Sequence, residues 1–378
     1  MKVLILSTGT GEGHNSAAKA VKEQFDNHGV PCELADALDF ASDKAADYGR
    51  RVYIWSTVKA RKVFAGAYRA GRAISSSHHK SPVYYANALY AGKLYQYIVE
   101  NGFDTVVMPH LFPAEAVTYM MKKHHPQVKA YFVATDYTCI PFTEETNMDY
   151  YFIPHEDLKE EYIRRGIPEE KLIPTGIPVS ARFVNLPDKA ECRKQLGIAE
   201  DKKCILVMTG SMGYGNVESM IGRLVAGTDE NTDIYVMGGT NEKLKESLRK
   251  TYQDKKRVVV LDFTNQAQIY MAAADVLFTK PGGLTSSEAA AACVPLVHTH
   301  PIPGCEDRNV AFFTARGMSV SDKKEEEVVR KGLELLNHPD MQEKMRECQK
   351  AFGKADAAEK IYEFIVSRQL ADKEVEDK

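Results

Sequence analysis

Between Asp47 and Glu100 the chain carries no acidic side chain, although Asp and Glu together number 52 in 378 residues. The same window holds nine cations: Arg50, Arg51, Lys59, Arg61, Lys62, Arg69, Arg72, Lys80 and Lys93. Other absences narrow the class further. No stretch approaches the roughly 20 continuous apolar residues of a membrane-spanning helix. The seven cysteines are scattered, odd in number and never in CxxC spacing, which excludes a disulfide framework and a cysteine zinc site. No Asp-x-Asp triplet occurs, so the usual carboxylate spacing for holding a metal on a diphosphate is missing. Net charge is −3, and nothing global points to nucleic acid. The N-terminus opens on a strand without the charged, apolar and small-residue layout of a secretory signal, and a cytoplasmic location is expected.

The acid-free window also contains the single tryptophan, Trp55, with Tyr53, Phe64, Tyr68, Tyr84, Tyr85 and Tyr90. Cations interleaved with aromatics suit a surface that rests on anionic lipid headgroups. A solvated basic face on core helices and a single-stranded nucleic acid surface are the other readings of such a run.

"KVLIL" (2–6) followed by "STGTGEGHNSAA" (7–18) reads as a buried strand, a glycine turn over Gly9–Asn15 and a helix whose apolar positions Ala17, Ala20, Val21 and Phe25 recur at helical spacing. Glycine lets backbone approach a ligand closely, and a helix start offers unpaired N–H groups to an anion. The glycines at 9, 11 and 13 do not match the dinucleotide fingerprint, which needs first, third and sixth positions. His14 at the helix entrance is the reactive group of this turn.

Strands and helices alternate along both halves, with strands expected near 2–6, 31–38, 105–110, 128–135 and 149–154, then 203–210, 232–239, 257–263, 275–280 and 295–299. Such alternation implies parallel sheets covered by helices. "IPTGIPVSARF" (173–183), with two prolines and a glycine, reads as the hinge. The expected organisation is an N-terminal domain (1–178) that carries the basic, aromatic window, a C-terminal domain (179–345), and a C-terminal helix with a frayed tail (346–378) that packs back toward the first domain. Two doubly wound α/β domains of this kind face a cleft at the carboxyl ends of their strands, where such sheets bind ligands.

"TKPGGLTSSEA" (279–289) places Gly282 and Gly283 between a strand and a helix that starts near Leu284. Turn amides, with the hydroxyls of Thr285, Ser286 and Ser287, can hold a diphosphate. Glu288 is one turn into the helix, placed for a pair of ribose hydroxyls; the Thr285-x-x-Glu288 spacing is equally a capping box, which would tie Glu288 to backbone. "TGSMGYGN" (209–216) is a second glycine-rich turn, containing Gly210, Ser211, Met212 and Gly213. "DFTNQ" (262–266), with Phe263 and Thr264, offers backbone to a planar base. "HTHPIPGCEDRN" (298–309) brings His298, Glu306, Asp307 and Asn309 to the same sheet edge. Together these four turns describe a sugar-nucleotide site. His298 and His300 have ligand-like spacing, but no third ligand is evident and no metal is expected.

"STGTGEGHNSAA", "VATDY", "PTGIPVSARF", "MTGSMGYG", "DFTNQ", "TKPGGLTSSEA" and "PIPGCEDRN", in that order over residues 1 to 365, resemble glycosyltransferase family 28 in its branch of diacylglycerol sugar transferases. The resemblance implies a GT-B fold of two Rossmann-like domains, a UDP-sugar donor, inversion at the anomeric carbon and a peripheral membrane habit at the inner face of the cell membrane. It places Gly282, Gly283, Leu284 and the hydroxyls that follow on the phosphates, Glu288 on the ribose, the Phe263 backbone on the uracil, and Glu306 with Asn309 on the hexose. The acceptor and membrane side takes Gly13, Arg51, Trp55, Lys59, Arg61, Lys62 and Arg69. Two departures stand out: Cys305 or Glu306 occupies a position where the family often has Gln, and Glu12 interrupts the glycines before the histidine.

Inverting transfer needs a base for the acceptor hydroxyl and stabilisation of departing UDP. His14 is the first candidate base, and Asp136 either orients its imidazole or serves as the base itself. Glycine-turn amides and helix termini can neutralise the leaving group without a metal, so no cofactor is expected. The partners are UDP-glucose or UDP-galactose, diacylglycerol and anionic lipids, and not nucleic acid. Two other functions remain open on the same residues. One is a UDP-N-acetylglucosamine-using GT-B enzyme, either a polyprenyl-lipid acceptor transferase or a soluble 2-epimerase-like enzyme. The other is a non-catalytic UDP-sugar sensor.

Overall fold

The computed structural model describes residues 1–9, 12–41, 80–210 and 216–376, with side chains to 371. Two compact units form. One comprises Met1–Ser180, Pro303–Cys305 and Lys354–Lys378; the other comprises Ala181–Ile302 and Glu306–Gly353.

In the first unit six parallel strands, β1 (Val3–Ser7), β2 (Cys32–Asp36), β3 (Thr105–Met108), β4 (Lys129–Val133), β5 (Tyr150–Phe152) and β6 (Leu172–Ile173), lie in the order β2-β1-β3-β4-β5-β6. Val3 to Leu6 and Val106 to Met108 are fully buried, which is why these strands read as unbroken apolar runs rather than as alternation. The covering helices are α1 (Glu12–Asn27), α2 (Pro82–Ala88), α3 (Ala91–Asn101), α4 (Leu111–His124) and α5 (Lys159–Arg164). Helices α2 and α3 are parted at Leu89–Tyr90. Ser81 caps α2 by accepting from the Tyr84 N–H, and Pro82 occupies its first turn, where a missing N–H costs nothing. Strand β6 was not foreseen, because two residues carry no periodicity.

The second unit builds a five-stranded parallel sheet from β7 (Lys203–Met208), β8 (Thr232–Met237), β9 (Val258–Leu261), β10 (Val276–Thr279) and β11 (Leu296–His298), ordered β11-β10-β7-β8-β9. Its helices are α6 (Lys189–Leu196), α7 (Val217–Ala226), α8 (Glu242–Thr251), α9 (Ala267–Ala273), α10 (Gly283–Ala291), α11 (Cys305–Ala315), α12 (Glu325–Asn337) and α13 (Pro339–Phe352). The chain returns to the first unit at Lys354, so the boundary expected at 346 falls inside α13. The last helix, α14 (Ala357–Glu376), buries Ile361 and Ile365 among Val3, Ile5, Val21 and Phe25, and its Tyr362 stacks on His28 at 4.1 Å. This burial anchors the C-terminal segment to the first sheet.

Each sheet has one place where the strand order reverses: between β1 and β3 in the first, and between β7 and β10 in the second. Loops leaving two neighbouring strands in opposite directions open a crevice there, the usual ligand position in such sheets. The chemistry-bearing turns lie at these two places.

Candidate active site

At the first reversal, α1 begins at Glu12, three residues before the expected end of the glycine turn, so His14 sits on the first helical turn. An acid in that turn complements the positive end of the helix dipole, which accounts for Glu12 among the glycines. The approach to the helix is tied down locally. Ser7 Oγ donates to Asn15 Oδ1 at 2.6 Å, and Asp36 accepts from the N–H groups of Gly9 and Leu38, both at 2.9 Å.

His14 Nδ1 is 2.8 Å from the Pro109 carbonyl oxygen and 3.0 Å from Thr135 Oγ1. A carbonyl can only accept, so the proton resides on Nδ1 and Nε2 presents its lone pair. Burial holds the His14 pKa below its ordinary value, with the Pro109 contact opposing the shift. Beside it, His110 packs edge-on at 4.4 Å between ring centroids. His110 accepts the Phe112 N–H on Nδ1 at 3.1 Å, which leaves its own proton on Nε2, and burial with the neighbouring His14 keeps it well below the usual imidazole range. Both rings are therefore neutral at neutral pH. Asp136 follows Thr135 at the end of β4, is half-buried, and its carbonyl accepts the Thr138 N–H at 2.8 Å. His14 Nδ1 is oriented by Pro109 and Thr135.

At the second reversal, Gly210, two residues after β7, has φ +74°, a conformation that favours glycine. After β10 the chain turns at Pro281-Gly282, with Gly282 as the N-cap of α10. The Ser286 N–H closes on the Gly282 carbonyl at 3.0 Å, so the amides of Gly283, Leu284 and Thr285 precede the first intrahelical bond, an arrangement that can receive an anion. The capping-box alternative is not realised: Gly282 is the cap and Thr285 lies inside the helix. Glu288 is half-buried; burial pushes its carboxyl up to about 8, with Arg182 pulling the other way. In "DFTNQ", Phe263 is 83% exposed and Thr264 Oγ1 accepts the Gln266 N–H at 3.1 Å.

Four expected ligand groups have partners within the protein. Ser286 Oγ lies 3.0 Å from His298 Nε2, and Ser319 Oγ is 3.0 Å from His298 Nδ1, which leaves Ser286 bracing α10 against β11 rather than facing a phosphate. Ser287 Oγ likewise donates to the Gly283 carbonyl at 2.8 Å. Glu306, expected on the hexose, pairs with Lys280 Nζ at 2.6 Å and accepts the Ile302 N–H at 2.7 Å. Asn309, expected beside it, donates to the Pro281 carbonyl at 2.9 Å. Glu306 and Asn309 are 4% and 0% exposed, and a buried polar end needs a partner inside the fold. Fully buried, His298 is held neutral with its pKa at about 3, whereas His300 Nε2 is 3.0 Å from Glu325 Oε2, so the two imidazoles serve different partners. Among the described residues no group of three or more His, Cys, Asp or Glu side chains is arranged to hold a metal ion.

Residues 14–179 match the family model for monogalactosyldiacylglycerol (MGDG) synthase, and residues 188–352 match the model for glycosyl transferases group 1. A processive diacylglycerol beta-glucosyltransferase of Bacillus cytotoxicus is 26% identical over 98% of this chain and 94% of its own length. The enzyme of the same description from Bacillus cereus strain G9842 is 27% identical over 98% and 95%. The chain is thus similar over nearly its whole length to diacylglycerol sugar transferases, and its two halves match glycosyltransferase family models. Its fold is GT-B. Acinetobacter baumannii MurG aligns with TM-score 0.65 at 13% identity, covering 97% of this chain and 99% of that one. A UDP-GlcNAc 2-epimerase from Neisseria meningitidis, bound to UDP-GlcNAc, aligns with TM-score 0.63 at 15% identity, covering 97% and 100%.

For this glycosyltransferase, Arg51, Trp55, Lys59, Arg61, Lys62 and Arg69, and Ser211, Met212 and Gly213 of the donor turn, lie outside the described residues, whereas Gly13 is on α1 beside His14. Reading the sequence alone missed Thr135, His110 and Lys280. Thr135 and Lys280 stand inside the quoted runs "VATDY" and "TKPGGLTSSEA", and His110 ends the strand expected near 105–110; the available signal was a polar residue at the carboxyl end of a buried strand.

Proposed function

We infer that this glycosyltransferase moves a hexose, glucose in the first instance, from a UDP-sugar to the hydroxyl of diacylglycerol at a membrane surface, with inversion. The observation that carries the acceptor is the likeness to diacylglycerol glucosyltransferases over 98% of the chain. The fold alone is shared by transferases and epimerases and does not choose between them.

The chemistry divides between the units. In the first, His14 Nε2 removes the acceptor proton while Pro109 and Thr135 hold the other nitrogen protonated. An alcohol is a poor nucleophile at neutral pH, and a positioned base contributes about 10² to 10⁴ in rate. In the second, the N–H groups at the start of α10 receive the diphosphate, Glu288 meets the ribose, and the backbone of "DFTNQ" meets the uracil. The carboxyl of Glu288, neutral below about 8 in the free protein, can both donate to and accept from a ribose hydroxyl pair. No metal takes part in this scheme. No described helix is long and apolar enough to cross a membrane. The enzyme reaches its lipid by docking through the basic, aromatic segment that follows β2, at the cytoplasmic face.

The direct test supplies radiolabelled UDP-glucose or UDP-galactose with diacylglycerol vesicles and extracts the lipid. Labelled monoglycosyldiacylglycerol from UDP-glucose is the expected product. Label appearing only with UDP-galactose would correct the sugar. Free epimerised UDP-sugar with no labelled lipid would overturn the transferase reading.

A further inference from the structure

Lys280 follows β10 directly, and its side chain lies against two glycine turns at once. A Cβ added at Gly210 would stand 2.9 Å from Lys280 Cε, and one at Gly282 would stand 3.7 Å from Lys280 Nζ. Any larger residue at 210 would displace the lysine stem. The ammonium end is held 2.6 Å from Glu306 Oε1, whose second oxygen takes the Ile302 N–H. Glu306 is buried, whereas the lysine side chain retains 27% exposure. A buried carboxylate with both oxygens engaged is a rigid anchor, and an ammonium carries three donors, so it can serve Glu306 and a phosphate oxygen together.

We propose that Lys280 is the cation that neutralises the departing nucleoside diphosphate, and that Glu306 is a positioning residue that aims it. This rests on the donor reading above. In the transfer step the bond from the hexose C1 to the β-phosphate oxygen breaks, and its electron pair stays with that oxygen. The acceptor oxygen forms the new bond to C1, and its proton passes to His14 Nε2. The β-phosphate thereby gains negative charge between the β7 and β10 turns, where the α10 amides and Lys280 converge. A fixed cation at an oxygen whose charge grows during reaction lowers the barrier more than it strengthens ground-state binding. The Lys280–Glu306 pair thus does what a divalent cation does in carboxylate-triplet transferases.

The test compares Lys280→Met, Lys280→Arg and the double substitution Lys280→Met with Glu306→Gln in the full chain, each checked for cooperative melting. In Lys280→Met, kcat is expected to fall roughly 10² to 10³-fold with little change in KM for the UDP-sugar, and Lys280→Arg to recover part of it. By calorimetry, UDP affinity falls in Lys280→Met while uridine affinity does not. Lys280→Met leaves Glu306 buried and unpaired, which by itself can unsettle the fold; the double variant removes that penalty. If the double variant regains wild-type turnover, the pair is structural and the proposal is overturned. Equal loss of UDP and uridine affinity overturns it too. Because calorimetry needs no lipid, a wild-type protein that prefers UDP to uridine but never glycosylates vesicles sinks the acceptor reading and leaves the role of Lys280 standing. One that fails to bind UDP ends both.

Discussion

His14 Nδ1 stands 2.8 Å from the carbonyl oxygen of Pro109, and this contact decides which imidazole nitrogen is basic. Replacing His14 with Gln keeps a side-chain donor for Pro109 but removes the base. Turnover is expected to fall about 10² to 10⁴-fold while UDP affinity stays unchanged. The working form of His14 is neutral and its pKa is held under the ordinary 6.5, so activity is lost only as pH falls below that value. A kcat/KM profile whose acidic limb lies above pH 7 would contradict a buried, neutral His14.

Glu115 gives a stability prediction of opposite pH sense. It is fully buried on α4, accepts from Asn87 Nδ2 at 2.6 Å through Oε2, and its Oε1 has no hydrogen-bond partner. Burial, seconded by the charge of Glu145, pushes its pKa up to about 8, against the pull of the Asn87 hydrogen bond and the Lys80 charge. A carboxyl whose folded pKa exceeds its unfolded value binds more protons when folded, so stability declines as pH climbs from the unfolded value through about 8. Glu115→Gln mimics the protonated form. It should melt with wild type at pH 4 and several degrees above it at pH 9. Parallel melting curves at both pH values would show that Glu115 does not carry this penalty.

The strands of both sheets were legible because a parallel sheet covered on both faces writes itself as short apolar runs, as in Val3–Leu6 and Cys204–Val207. Helix α11 is less legible, because it buries the polar Glu306 and Asn309 along with Phe312 and Phe313 and so lacks a clean apolar stripe. Site positions were legible as glycine turns after strands, but the partners of individual side chains were not. Glu306 and Asn309 are buried on α11, and burial sends their polar ends to Lys280 and Pro281. A one-dimensional pattern shows which residues share an edge and leaves open which of them satisfies another. Likewise, nothing in "VATDY" distinguishes Thr135, whose hydroxyl lies 3.0 Å from His14 Nδ1, from its neighbours.

Leaving-group stabilisation by backbone amides and Lys280 makes a further demand. Extensive dialysis against EDTA should leave at least half of the transfer rate with UDP-glucose, measured without added divalent ions. Loss of all activity, restored by magnesium alone, would require a metal on the diphosphate and would demote the helix start to an orienting role.

The proposed lipid acceptor gives the acid-free segment between Asp47 and Glu100 the task of membrane docking. Diacylglycerol does not leave the bilayer readily, so the enzyme must come to it, and each Lys or Arg near an anionic surface contributes about 1 kcal/mol. Replacing Arg61 and Lys62 with Gln together should therefore weaken binding to vesicles rich in anionic lipid by about tenfold or more. UDP affinity, which depends on the other unit, should stay constant. Cosedimentation at rising ionic strength checks the physical cause, because attraction between exposed charges fades once the screening length drops below about 10 Å. Equal binding to neutral vesicles in high salt would transfer the docking energy from these cations to the aromatic residues around Trp55, and the charge asymmetry of the segment would then need a different explanation.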